Sequence, residues 1–532
     1  MYDGTGRPPF RADVLVARGK IAAIRPARVE SSAASDSCEP GGSYPAPGRI
    51  NAAGLAVCPG FIDIHSHSDK SLLINPLAES KVRQGVTTEV IGNCGYSLAP
   101  LTDRNRGAML GEFERHSLDA GWATPGEYLA ALEVAGISVN VLALVGHGAV
   151  RSAVMGYEMR RPSESEMESM KALVRQALDE GFVGISSGLI YPPGAYATTG
   201  ELVELAREAA RHGGFYASHI RGEREQVVDA VAEAIEIGRS SGAAVQISHH
   251  KAAGRPNWGK VSETLAMIER ARNEGLDVTA DQYPYTASAT SLSAVLPGWV
   301  HAGGREAALA RLRDPAVRAR IEAEVEAREG AMRGWDEICI TAVSSEGNRD
   351  LVGRFITGIA GERGQSPAVA VVSVLLEERM SADMIRFSIS EEGVREVMKR
   401  PFVMVGSDGT ALAPYGPLSR DRPHPRSYGT FPRVLGRYAV RERVIPLEEA
   451  IRKMTSLPAA RLGLRHRGLI REGYAADVVV FDPAAVIDTA TFEHPASYPE
   501  GIEYVVVNGK VTVARGSHLG ERNGMVLGHS GR

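Results

Sequence analysis

Between residues 57 and 409, short apolar runs that end in polar side chains alternate with longer segments whose apolar positions recur every three or four residues. The runs cover 57–67, 88–95, 139–148, 184–191, 215–220, 244–250, 276–285 and 402–409. Their length and patterning predict strands. Segments 163–180, 199–212, 225–241 and 261–274 carry the spacing of amphipathic helices, with glycine near several C-terminal ends. Eight such units predict an α/β fold, a TIM-like (β/α)8 barrel, whose catalytic groups sit at the C-terminal ends of the strands.

The repeat is broken once and flanked twice. After the seventh strand, residues 288–400 are far too long for one crossover and contain a helical pattern over 306–329 and a strand pattern over 337–343. Long insertions at a catalytic face act as lids or specificity elements, so this one is expected to cover the pocket. Before the barrel, residues 13–17 and 20–24 read as strands around an Arg-Gly turn; after it, 468–482 and 504–513 return to β patterning, with Asn508-Gly509 as a hairpin turn. The expected organisation is a barrel over 58–465 and a small β-sandwich domain assembled from 1–57 and 466–532. A Ser/Pro/Gly-rich stretch, 31–48, has little to bury and reads as a floppy surface loop in which Cys38 is incidental.

Composition narrows the function classes. The 532 residues are 44% hydrophobic and 23% charged with a net charge of -4, an ordinary globular balance without a sustained Lys/Arg block. A nucleic-acid partner is disfavoured. No apolar run approaches the ~18 residues of a bilayer span, and the first residues lack the apolar core of a signal peptide, so a cytoplasmic location is expected. The other three cysteines are scattered without CxxC spacing; Cys58 and Cys339 read as structural.

The chemistry gathers at the predicted strand ends. These carry His65 and His67, then Cys94, His147, Tyr191, His219, His249 with His250, Asp281 with Tyr283, and Asp408. Six of the 14 histidines fall at these positions, and a barrel directs them all to one mouth. On a strand His65 and His67 face the same side, roughly 6 to 7 Å apart at the backbone. Imidazole, thiolate and carboxylate together are a zinc donor set. His147 also reads as a hydrogen-bonded loop histidine, and strand periodicity allows only one of His249 and His250 to face the site.

Pro59-Gly-Phe-Ile-Asp-Ile-His-Ser-His67 is similar to the first-strand signature of the amidohydrolase superfamily. Gly92-Asn-Cys-Gly95, Gly188-Leu-Ile-Tyr-Pro-Pro-Gly194, Ser218-His-Ile-Arg221, Ile247-Ser-His-His-Lys251, Asp281-Gln-Tyr-Pro-Tyr285, Gly406-Ser-Asp-Gly409 and His424-Pro-Arg426 resemble, more specifically, the D-aminoacylases, or N-acyl-D-amino-acid deacylases. The resemblance implies a tight zinc on Cys94, His219 and His249, and a weaker second site on His65, His67 and Asp408 that shares the cysteine. It also implies Asp408 as general base and acid, and Lys251, Tyr283, Ser288 and Arg426 as substrate contacts, Arg426 for the α-carboxylate. A guanidinium suits that role because it grips a carboxylate through two parallel bonds. Tyr283 reads either as a donor to the oxyanion or as a wall of the pocket, and Lys251 as a contact or a rim charge. The arginine-rich 417–443 stretch is expected to line the same mouth.

The expected reaction is hydrolysis of the amide of a small N-acyl-D-amino acid with a neutral or hydrophobic side chain, the D preference resting on the resemblance alone. Hydantoinase- or dihydroorotase-type cyclic-amide hydrolysis is the alternative. Those relatives bridge two metals with a carboxylated lysine at the end of strand four, where this chain reads Ser186-Ser-Gly-Leu-Ile-Tyr191. N-acyl-D-glutamate is the other alternative, for which loop arginines such as Arg160, Arg161 and Arg349 would have to supply a second cation.

Overall fold

The computed structural model describes residues 1–27, 48–110, 120–332 and 334–528. All but the last residue of the 31–48 stretch, Cys38 included, lies outside the described residues. The chain opens with the antiparallel pair β1 (Ala12–Ala17) and β2 (Lys20–Pro26), followed by β3 (Ala56–Pro59). The barrel then begins with β4 (Phe61–Asp63), β5 (Val86–Ile91), β6 (Asn140–Ala143) and β7 (Val145–Gly146). It continues through β8 (Gly184–Gly188), β9 (Phe215–His219), β10 (Ala244–Ile247) and β11 (Val278–Gln282).

The insertion supplies β12 (Ser288–Ser291), β13 (Ile338–Val343) and β14 (Ala382–Arg386), and the last barrel strand is β15 (Val403–Val405). All barrel neighbours run parallel. β6 and β7 are two halves of one strand offset at Leu144, whose N–H donates to Ile91 O at 2.9 Å while Ala143 O accepts from Val183 N at 2.8 Å. The ring closes just beyond β4 and β15, where Asp408 N donates to His65 O (2.7 Å) and His67 N to Gly409 O (2.9 Å). Each of the eight predicted runs therefore holds one barrel strand.

Strand alternation builds the core. Ile62, Ile64, Val90, Leu142, Leu144, Val183, Phe215, Ala217 and Met404 share one cluster, whereas Phe61, Val86, Ile91 and Val245 belong to another with the helices. The predicted helices form because their ends are capped as well as their faces patterned. Ser163 and Glu166 make a reciprocal capping box before Glu164–Asp179, and Val227–Ser241 stops at Gly242, at φ 77°.

The insertion has its own apolar core, including Leu292, Val300, Leu312, Ile340 and Val371, around a sheet of order β12-β14-β13. The single helix expected over 306–329 is two, Arg305–Arg313 and Pro315–Met332. The break is local chemistry: Asp314 accepts from Ala316 N and Val317 N, and Pro315 takes the first helical position, where its missing N–H costs nothing. Helix Glu391–Met398 then packs back on the barrel, where Val394 O accepts from Gln282 Nε2 (3.1 Å).

After the barrel come β16 (Val478–Phe481), β17 (Ile502–Val507), β18 (Lys510–Ala514) and β19 (Ser517–His518), in a sheet of order β19-β18-β17-β16-β3. Asn508 and Gly509, at φ 50° and 83°, make the turn between β17 and β18 with both central residues left-handed. The β1–β2 pair rests on this part of the chain through Ile21, Ile470 and Ala476. The chain then leaves the sheet: Val141 N donates to Met525 O (2.9 Å) and Leu527 N to Val141 O (2.7 Å), so residues 525–527 lie along the third barrel strand. Among the described residues no helix is long and apolar enough to cross a membrane.

Candidate active site

The strand ends deliver their side chains to one centre. Cys94 Sγ lies 3.3 Å from His65 Nε2 and 3.5 Å from His249 Nε2, and His249 Nε2 lies 2.9 Å from His219 Nδ1. On the other side of the sulfur, Asp408 Oδ1 is 3.4 Å from His65 Nε2 and 2.9 Å from His67 Nε2. Two donor groups result, His65/His67/Cys94/Asp408 and Cys94/His219/His249, each with its ligand atoms within 4.8 Å of one another and with Cys94 common to both. Donors that each sit ~2.0–2.3 Å from a zinc ion lie about 3.3–3.8 Å from one another in a tetrahedral site; the separations of 3.3, 3.4 and 3.5 Å match this, and the two at 2.9 Å are shorter by a few tenths.

The local backbone makes this possible. Cys94 sits at φ 52° three residues past the end of β5, and a Cβ at Gly92 would strike Leu144 O at 1.9 Å, so glycine there lets the loop fold tightly enough to turn the thiol inward. The imidazoles are aimed by carboxylates behind them. Asp281 accepts from His65 Nδ1 (3.1 Å) and from the backbone N of His249 (2.7 Å), and is itself held by Gln246 Nε2 (2.8 Å). Glu223 Oε1 lies 3.0 Å from His249 Nδ1 and takes a 2.5 Å bond from Lys251 Nζ. Carboxylates placed behind metal-facing histidines fix ring orientation and tautomer.

The electrostatics ask for a cation. Burial alone would push the Cys94 thiol up, yet His65 and His249 beside it hold it well below its ordinary value, as a thiolate. Burial opposes the charge on Asp408 too, and Arg426 with His249 pulls it well below the usual carboxylate range. His67 shows the complement: despite burial, its bond to Asp408 moves it up to about 9. His219 Nε2 is buried with no hydrogen-bond partner. A buried thiolate and carboxylate faced by imidazole nitrogens fit a zinc ion.

Beside this centre stand the groups expected to meet substrate. Arg426 Nη1 donates to Asp408 Oδ2 at 2.6 Å, and its guanidinium lies 4.9 Å from the Tyr283 ring centroid. Lys251 Nζ lies 5.4 Å from the same centroid. The Tyr283 hydroxyl is buried without a hydrogen-bond partner, and burial pushes it up to about 12. His424 accepts from Arg426 N (3.0 Å) and donates to Ala287 O (2.9 Å), tying Arg426 to the start of the insertion. Ser288 opens β12, and the neighbouring Ala289 O accepts from Arg426 Nη2 at 3.4 Å. Tyr191 places its ring edge on His219 and its hydroxyl on Thr290 Oγ1 (3.0 Å).

Other candidates fall away from the centre. His147 Nε2 bonds Glu201 (2.9 Å), which also takes Arg151, all buried. His250 points to the opposite face and bonds Thr264 Oγ1 (3.0 Å), and burial lowers it to about 4. The 417–443 arginines do not line the mouth as a group. Arg426 reaches it, while Arg422 bonds Glu493 O, Arg433 bonds Asp488 and Arg441 bonds Val486 O, because the segment must be tied to the C-terminal part of the chain. Arg160 is paired with Glu166 and Arg349 with Asp421. Sequence reasoning passed over Glu223, four residues beyond His219 in an irregular loop, and Lys81, Asp63 and Ser407, which lie buried beneath the centre. Lys81 sits among Glu79, Ser80, Arg83 and Gln84, so no signal in the sequence points to it.

The amidohydrolase family matches residues 49–513 of the chain. A D-aminoacylase of Alcaligenes xylosoxydans xylosoxydans is 39% identical over 99% of this chain and 96% of its own length, and an N-acyl-D-aspartate deacylase of the same organism is 37% identical over 99% and 93%. Among solved structures, a D-aminoacylase superposes with a TM-score of 0.80 at 38% identity, covering 99% of this chain and 98% of that one. An N-acyl-D-glutamate deacylase from Bordetella bronchiseptica, complexed with zinc and a phosphonate mimic of the tetrahedral intermediate, does so at 0.80 and 37%, covering 99% and 97%. An L-hydantoinase from Arthrobacter aurescens, at 17% identity and a TM-score of 0.52, shares the fold alone. With this match along nearly its whole length, the chain belongs to the amidohydrolase family, among the D-aminoacylases and N-acyl-D-amino-acid deacylases.

Proposed function

We propose that the chain hydrolyses the amide bond of N-acyl-D-amino acids with neutral or hydrophobic side chains, as a zinc enzyme. The observation that carries this reading is the paired donor set around Cys94 with Asp408 and Arg426 in contact beside it. Cys94, His219 and His249 would hold one zinc, and His65, His67, Asp408 and the shared Cys94 a second. When bound, zinc supplies Lewis acidity, acidifying water and polarising a carbonyl.

Asp408, kept ionised by its neighbours, takes a proton from the attacking water and returns it to the leaving nitrogen. Arg426 holds the α-carboxylate, turning part of its charge from Asp408 to the substrate, and Lys251 and Ser288 are further substrate contacts. The unpartnered Tyr283 hydroxyl donates to the oxyanion, a contribution of about 3 kcal/mol for one well-placed donor. The insertion covers the mouth, and the chain termini form a non-catalytic β-domain. The engagement of Arg160 and Arg349 elsewhere, with Arg161 exposed, supports a neutral rather than an acidic side chain.

The test is amine release from N-acetyl-D- and N-acetyl-L-methionine, leucine and glutamate by zinc-loaded protein beside a chelated control. Zinc-dependent release from D-methionine or D-leucine alone is expected. Release from D-glutamate alone overturns the side-chain reading, and no release from any overturns the function.

A further inference from the structure

We infer that Lys81 is the positioning residue for Asp408: from a fully buried place beneath the mouth it pins the Ser407–Gly409 segment to the first barrel strand. The inference rests on the reading of Asp408 as the group that moves the proton.

Lys81 lies in the short helix Glu79–Val82 and has no exposed surface. Its ammonium has three hydrogens and uses all three, on Asp63 Oδ2 (2.7 Å), Ser407 Oγ (2.7 Å) and Gly409 O (3.1 Å). Two of these partners flank Asp408; the third lies two residues before His65. Asp63 completes the clamp by accepting Ser407 N (2.8 Å) and Ser407 Oγ (2.5 Å). The same short helix holds the rest of the segment. Ser80 N donates to Leu412 O (3.0 Å) and Ser80 Oγ accepts from Leu412 N (2.8 Å). Ser68 Oγ, on the strand-one side, accepts from Ala411 N (2.9 Å) while donating to Glu89 (2.6 Å).

The clamp acts where the backbone is least able to hold itself. Asp408 sits at φ 50°, a left-handed conformation that a non-glycine residue keeps where its surroundings enforce it. Lys81 enforces it by fixing the residue on either side. Packing alone would not require a buried ammonium; a methionine would fill the space, and replacing a buried ion pair by apolar groups is often neutral for stability. The distinction between holding the fold and aiming Asp408 is therefore open to experiment.

Lys81→Met alone strands the buried Asp63 carboxylate and leaves Glu89, 3.5 Å from Lys81 Nζ, without its cation. The deciding variant is therefore Lys81→Met combined with Asp63→Asn, which removes the Lys81–Asp63 pair, keeps an acceptor for Ser407 N, and leaves Glu89 as a lone carboxyl that burial pushes toward its neutral form. In this variant, zinc-loaded, the melting temperature should recover toward the wild type and the tight zinc should remain. Turnover should fall on the order of 10- to 100-fold with KM within about threefold, the mark of a displaced catalytic group. Ser407→Ala keeps both charges and removes the hydroxyl's bonds to Lys81, Asp63 and Gly409 N, while Gly409 O and Ser407 N keep theirs; it should lower kcat by about tenfold and decides the matter if the double variant does not fold. A folded variant with kcat within about twofold of wild type, or a loss confined to KM, overturns the inference. A wild-type chain inactive on every N-acyl-D-amino acid defeats the proposed function itself, whereas an active wild type beside a fully active variant defeats this inference alone.

Discussion

Cys94, His249 and Asp408 hold left-handed backbone at φ 52°, 36° and 50°, and all three belong to the donor groups. Each follows the end of a barrel strand, and the reversal of φ turns a side chain that would continue the strand's alternation toward the shared centre. Their unequal places in the two groups separate their variants. Cys94 is common to both, so Cys94→Ala should lose the tight zinc and all activity together, as read by metal analysis after dialysis. Asp408 belongs to one group only, so Asp408→Asn should retain the tight zinc while turnover falls on the order of 100-fold or more, measured under saturating substrate. The ligand candidates were legible because strand periodicity and strand ends are written in the chain. Glu223 and Lys81 were not, because a carboxylate in an irregular loop and a lysine in a one-turn helix carry no period that reveals what they face.

At the scale of elements, one buried carboxylate ties the insertion to the loop after β9. Glu329, at the end of helix Pro315–Met332 and 1% exposed, takes Arg386 Nη1 of β14 (2.7 Å) and Arg224 Nη1 of the loop after β9 (2.9 Å), with Arg328 at 3.4 Å. Arg224 adjoins Glu223, which aims His249, so the lock reaches the site through the chain itself. Burial would push Glu329 up, but Arg386 and Arg224 bring it down to about 2 from an ordinary 4.5. A carboxyl depressed in the folded state stabilises fully above the unfolded value and loses that contribution as pH falls through the folded one. The docking should weaken between about pH 4.5 and pH 2, by about 3 kcal/mol if the whole shift is felt. Glu329→Gln should reproduce this near neutral pH, leaving three guanidinium groups facing one another. Hydrogen exchange across 305–390 should rise while exchange in β8 to β10 stays slow; equal protection in the variant would show that the insertion's own apolar core holds it in place. The sequence placed the insertion and its strand β13 but neither β12 nor β14, and it read one helix for two, since the periodicity runs on through Asp314-Pro315 and only the cap chemistry marks the stop.

The whole molecule is tied together by contacts between distant parts of the chain; the sequence predicts that the two ends assemble together but cannot name which strands meet, because β patterning identifies a strand without naming its neighbour. β3, in the N-terminal part, pairs with β16, and residues 525–527 run beside β6. The second arrangement has a physical reason: β6 is covered by β5 on one side, but on the other the ladder to β8 begins only at Val145, leaving Val141 N and O without a strand partner. The tail supplies them, and carries Leu527, 6% exposed, into the barrel-interior cluster with Leu142, Val183 and Phe215. Leu527→Ala should therefore cost about 2–5 kcal/mol, as for a core leucine and far more than for a frayed terminus. Deletion of residues 521–532 should cost more than the point variant, because it also removes the bonds to Val141. Urea denaturation followed by far-UV circular dichroism measures both. The site is built at the opposite ends of the strands, so turnover of the Leu527→Ala variant at room temperature should stay near wild type while its denaturation midpoint drops. An unchanged midpoint would mean that the tail rests on the barrel without supporting it, and a fall in turnover without a fall in stability would mean that the third strand transmits its bottom edge to Cys94.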